Sequence, residues 1–158
     1  MTAIDDALAA PAPATPTATP AHLGWRLLAI AYDLLPLVAI WFVTAALDYL
    51  LRGMHEVAPG SVAAGVELIA LWLATGAYFV ASWRRGGHTV GMRAWRLKVL
   101  ASNGQPASLP ALCLRYAVAT LSLAAAGLGF AWALIDAQRR TWHDLVAGTV
   151  FVRMDRTD

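Results

Sequence analysis

At 158 residues, 59% of them hydrophobic and only 14% charged, the chain is too apolar for a water-soluble domain, in which roughly a quarter of residues are charged. The length suits one domain, and the apolar surplus calls for lipid. A net charge of +2 makes no case for nucleic acid or an acidic substrate, and the single cysteine, Cys113, excludes an internal disulfide or a multi-cysteine metal site.

Residues 1–22 are rich in Ala, Pro and Thr, and Pro11, Pro13, Pro16 and Pro20 forbid a helix. Little there could fill a core, so the stretch reads as a disordered tail. It lacks the basic start and short apolar run of a secretory signal. Three apolar segments follow, at about Leu23–Leu51, Val62–Trp83 and Leu109–Ile135. Each exceeds the roughly 20 residues that a helix needs to cross the hydrocarbon. The first two read as spanning helices, with Trp25 and Trp83 at their interfacial ends. Gly86 and Gly87 suit a helix stop, and Gly65 and Gly76 would let helices approach closely.

Basic residues set the orientation. The second linker carries Arg84, Arg85, Arg93, Arg96 and Lys98, whereas the first holds Arg52, His55 and Glu56. Basic loops stay inside, which places the amino terminus and the second linker in the cytoplasm. Three simple crossings would then put Arg139, Arg140, Arg153 and Arg156 outside. Gly127, Leu128 and Gly129 interrupt the third segment midway and permit a broken or re-entrant path. Strand-like alternation at Trp95–Leu100, a turn at Ser102, Asn103 and Gly104, and a β-branched run at Thr149–Val152 point the same way. If the two runs pair, both lie on one side. The expected fold is an all-α membrane protein: a small bundle of two spanning helices, a third broken or re-entrant segment, and short cytoplasmic β-strands.

Several ionisable residues fall within the apolar segments. Arg26 opens the first, and Asp33 lies seven residues on, nearly on the same face about 10 Å further along the axis. A carboxylate in hydrocarbon costs a few kcal/mol, so Asp33 must face the protein interior, find a partner or become protonated. Pro36 cannot donate to the Tyr32 carbonyl, which predicts a kink beside it. Glu67 is a second intramembrane carboxylate, Asp48 lies nearer the outer interface, and Arg115 is the candidate counter-charge for Asp33. The set fits either a proton or cation path or an Arg–Asp lock that fixes helix register. Near the carboxyl end, Thr141 and Asp144 form a capping box for a short interfacial helix, which Gly148 ends. His143 beside Asp144 has no Ser or Cys nucleophile placed by any motif. His22, His55, His88 and His143 are scattered without metal-ligand spacing. Gly86, Gly87, Thr89 and Gly91 lack the Gly-Lys-Ser/Thr ending of a phosphate loop, though arginines there suit anionic head groups. No cofactor is implied.

An arginine opening the first helix, an aspartate within it, and the closing run Arg140-Thr141-Trp142-His143-Asp144-Leu145-Val146-Ala147-Gly148-Thr149 resemble the RDD family of membrane proteins. Arg26, Asp33 and Asp144 would be the residues that name it. Gly87-His88-Thr89-Val90-Gly91-Met92-Arg93 and Arg96-Leu97-Lys98-Val99 resemble the family's second linker, with Met92 where a lysine is usual. The likeness covers residues 22 to 153; a domain at 23–153 leaves a short tail at 154–158. It implies a membrane location and a role in transport without a defined substrate. The resulting expectation is a non-enzymatic multi-pass protein of the plasma membrane with both termini cytoplasmic. It is an ion-coupled transporter or transport-related component, or else an accessory protein that binds another membrane protein. Its expected partners are the bilayer, a small ion, and a second copy or another membrane protein.

Overall fold

The computed structural model describes residues 18–154. Two long helices form its frame, α1 (Leu23–Leu51) and α2 (Val62–Gly86). At 1.5 Å per residue they measure about 43 and 37 Å, longer than the roughly 30 Å hydrocarbon core. Both are apolar enough to cross a membrane. Their outward side chains have no protein cover: Leu35 is 81% exposed and Phe42 74%. Such large bare apolar faces are stable against lipid rather than water. Helix α1 continues through Pro36 without interruption.

Helix α2 starts where Ser61 accepts the Ala64 amide and stops where Gly87 turns left-handed at φ 74°. A short helix, α3 (Val90–Ala94), follows inside the glycine-rich linker and packs on α1. The next helix, α4 (Leu109–Ala124), opens at Ser108, whose side chain accepts the Ala111 amide. Sixteen residues reach only about 24 Å, short of a full crossing. The chain then turns through Ala126 and Gly127, both with positive φ, into α5 (Leu128–Ala131) and a 3-10 turn at Trp132–Leu134. The bend between the two halves is 108°. After it, α6 (Trp142–Ala147) packs back against α4. The third segment therefore breaks where expected and returns to the end of the bundle from which α4 sets out.

Three strands close that end. They are β1 (Ala18–Pro20), β2 (Leu97–Ala101) and β3 (Thr149–Met154), antiparallel in the order β1-β3-β2. The register runs from Leu97 opposite Arg153 to Ala101 opposite Thr149. The second linker, the carboxyl-terminal segment and the approach to α1 thus share one side. The expected tail needs correction at residues 18–22: β1 pairs with β3, and Ala21 is buried with its amide on the Phe151 carbonyl at 3.0 Å. Pro20 is tolerated because β1 is an edge strand. The rest of the expected tail, 1–17, and residues 155–158 lie outside the described residues.

Two of the glycines bring helices into close approach. Gly76 faces Tyr116 across α2 and α4, where a β-carbon would come within 2.6 Å of the ring. Gly65, expected to act likewise, has nothing within 4 Å. Gly91 seats α3 on α1, where a β-carbon would overlap the Ala29 carbonyl and the Asp33 carboxyl. Gly91→Ala should push α3 off α1 and destabilise the protein by about 1–3 kcal/mol, the usual effect of overpacking. Gly65→Ala should leave stability unchanged or slightly raised. Unfolding midpoints in detergent check both.

Candidate functional site

Asp144 lies at the centre of the charged site. It is the third residue of α6 and completes a capping box with Thr141: the Asp144 amide donates to Thr141 Oγ1 at 3.4 Å, and Thr141 N donates to Asp144 Oδ2 at 3.0 Å. The capping role read from sequence is present, but it is only part of what this carboxylate does. Arg26 Nη1 donates to Oδ2 at 2.7 Å, and Arg115 Nη1 donates to Oδ1. One carboxylate thus clasps the starts of α1 and α4 to α6. All three groups are buried, with Arg26 4%, Arg115 2% and Asp144 1% exposed.

Neighbouring groups complete the clasp. Arg115 Nη1 also donates to Thr149 Oγ1 at 2.7 Å, which ties it to the first residue of β3. Arg26 Nη2 donates to the Arg139 carbonyl at 2.9 Å, and Arg139 holds a left-handed φ of 56°. Both guanidinium groups lie over the Phe151 ring, at 4.4 and 5.7 Å from its centroid. The Nε atoms of Arg26 and Arg115 have no acceptor. Burial alone would raise the Asp144 carboxyl, but the Arg115 and Arg26 charges outweigh it and hold the group well below the usual carboxylate range.

Asp33 makes a separate and different site. Its Oδ1 accepts from Tyr78 Oη at 2.7 Å and Gly91 N at 2.8 Å, and its Oδ2 accepts from Thr89 Oγ1 at 2.5 Å. Thr89 also caps α3, accepting the Met92 amide at 3.2 Å. Asp33 thereby fastens α3 to α1 and α2. One sequence expectation is corrected: Arg115 pairs with Asp144 rather than Asp33, and Arg26 reaches across the fold to the same carboxylate. Glu67 is half-buried on α2, away from both sites. Asp48 pairs with Arg52 at 2.6 Å on α1, four residues on.

His143 is buried, packs on Phe130 and leaves Nδ1 without a partner. Burial, then the Arg115 charge, push its imidazole down to about 3. It is therefore neutral at physiological pH, a poor state for a general acid. Among the described residues no group of three or more His, Cys, Asp or Glu could hold a metal.

Between α1, α2 and α4 lies a cleft of about 590 Å³. Arg26, Met92, Arg115, His143 and Phe151 lie at its polar end, and Trp41, Leu68 and Leu123 at the other. Asp33 also lines it. Interhelical hydrogen bonds brace the walls: Trp41 Nε1 donates to Thr75 Oγ1 at 2.8 Å and Trp72 Nε1 to Thr120 Oγ1 at 3.0 Å. Sequence reasoning missed Tyr78, Thr89, Thr149 and Phe151 as partners of the charges. Only Thr89 carried a local signal, as a cap placed before a short helix.

Two long apolar helices, a broken third segment and a charged clasp beneath them define a small helical protein of membrane-protein type. The chain belongs to the RDD family, whose model matches residues 20–148. None of the curated proteins and none of the solved structures compared with it matches. Of the residues expected to name the family, Arg26 and Asp144 are in contact, whereas Asp33 serves α3.

Asp144→Asn should destabilise the protein by about 3–5 kcal/mol, because it strands two buried arginines. Asp136→Asn, which weakens a part-buried local pair with Arg140 four residues on and strands no fully buried charge, should cost distinctly less. Denaturation in detergent compares them. His143 gives a pH dependence. Its folded pKa lies below the unfolded value of about 6.5, so the unfolded chain binds more protons and stability falls as pH drops below that value. Between about pH 7.5 and about pH 4.5 the wild type should lose about 2–3 kcal/mol. His143→Phe should lose distinctly less over the same window.

Proposed function

We propose that this protein is a non-enzymatic transport component of the plasma membrane, with the cleft between α1, α2 and α4 as its binding site. The observation that carries the reading is the cleft itself, a cavity among apolar helices with its cationic groups at one end. Its volume falls within the roughly 300–1,000 Å³ of small-molecule sites. The positive-inside rule orients it, with the sheet and both chain ends in the cytoplasm and the α1–α2 linker outside. Ion coupling would act through Asp33, the carboxylate that lines the cleft.

One observation favours the second reading, an accessory protein that binds another membrane protein. Three hydrogen bonds already hold Asp33, the arrangement of a structural lock rather than of a proton carrier. Flux in proteoliposomes separates the two. A carrier should collapse an imposed pH gradient in the presence of sodium or potassium, and Asp33→Asn should abolish that flux in folded protein while Glu67→Gln retains it. Absence of flux from correctly inserted wild type would retire the carrier reading in favour of the accessory one.

A further inference from the structure

The cleft has two chemically distinct ends. From Arg26 to Trp41 it follows fifteen residues of α1, about 22 Å along the axis. Its walls are leucine and aromatic side chains, and the hydroxyls of Thr75, Tyr116 and Thr120 are already hydrogen bonded to neighbours. The polar end is different. Arg26 and Arg115 contribute two formal positive charges and share one negative charge on Asp144, so one positive charge is left over. Both Nε–H groups and His143 Nδ1 are buried without partners. Asp33 does not neutralise the surplus by contact, because its oxygens are taken by Tyr78, Thr89 and Gly91.

We infer that the cleft binds a single-chain anionic amphiphile, a long-chain carboxylate whose head group meets the Arg26–Arg115 end and whose chain runs toward Trp41. Charge complementarity selects an anion, since a buried guanidinium surplus is best met by a carboxylate. The arginines are only 4% and 2% exposed, so a head group that reaches them must be compact, which favours a carboxylate over a phosphoglycerol group. The buried cationic end selects a charged chain over an apolar partner helix. The inference rests on the cleft being the protein's binding site and deepens that reading by naming the ligand class.

The test uses full-length protein in nanodiscs of zwitterionic lipid and a palmitate probe with a photoactivatable group at the chain end. Label should appear on the residues around Trp41, Leu68 and Leu123 at the far end. Unlabelled palmitate should compete at least tenfold better than hexadecanol, which has the chain without the charge, or phosphatidylglycerol, which has a bulky anionic head. Ala119→Trp, which fills the cleft without touching the charged groups, should cut labelling at least tenfold. Leu121→Trp, on the lipid-facing side of the same helix, should not. Equal competition by hexadecanol or by phosphatidylglycerol, or undiminished labelling of folded Ala119→Trp, would overturn the inference. Head-group-dependent labelling without ion flux supports the ligand class and retires the ion-coupled carrier. Ion flux without such labelling overturns the ligand class and leaves the carrier standing.

Discussion

The structure depends on one buried carboxylate shared by two arginines. Asp144 joins three segments that are far apart in the chain, because Arg26 lies 118 residues away and Arg115 lies 29. An isolated charge in hydrocarbon or in a protein core is strongly disfavoured. Each arginine is therefore tolerable only while Asp144 is in place, and Asp144 only while an arginine faces it. That dependence makes the interaction a specificity device: the third segment can return beneath the bundle only if it brings Asp144 back to the arginines. Arg115 then passes the constraint to Thr149, and through β3 to the sheet that closes the same end.

Asp33 solves the same problem by other means. It sits within α1, two turns along from Arg26, yet it recruits neutral donors from α2 and from α3 with its cap in place of a cation. A carboxylate with three donors needs no counter-ion in contact, and the donors in turn fix α3 against α1. The two aspartates divide the labour, one holding the termini of the bundle together and the other seating the linker helix. Between them lies the cleft, whose charged end is a by-product of the clasp's unequal charges.

Sequence made the frame legible for physical reasons that are local. Apolar runs longer than the bilayer is thick mark α1 and α2, the glycines near 127 mark the break, and alternation with β-branched residues marks β2 and β3. Thr141 and Asp144 announce α6 because capping acts over three residues. What stayed hidden is long-range. Nothing near Arg115 in the chain shows that its partner lies on α6, and its depth in the segment matched Asp33 equally well. The α3 helix was obscured by glycines, although Gly91 is there because α3 approaches the Ala29 carbonyl too closely for a side chain. Strand β1 was hidden because a proline-rich stretch reads as a tail unless the edge it pairs with is known.

The most direct measurement of the central claim is the unfolding free energy of a matched set of variants in detergent. Asp144→Leu alone is compared with the triple replacement Arg26→Met, Arg115→Met and Asp144→Leu. Removing one partner of a buried charge group is costly, whereas replacing the whole group with apolar residues of similar size is often neutral. The triple variant should therefore recover most of the stability lost in Asp144→Leu. A triple variant whose loss equals or exceeds the sum of the separate losses would show that the three charges are not coupled, and would contradict the account.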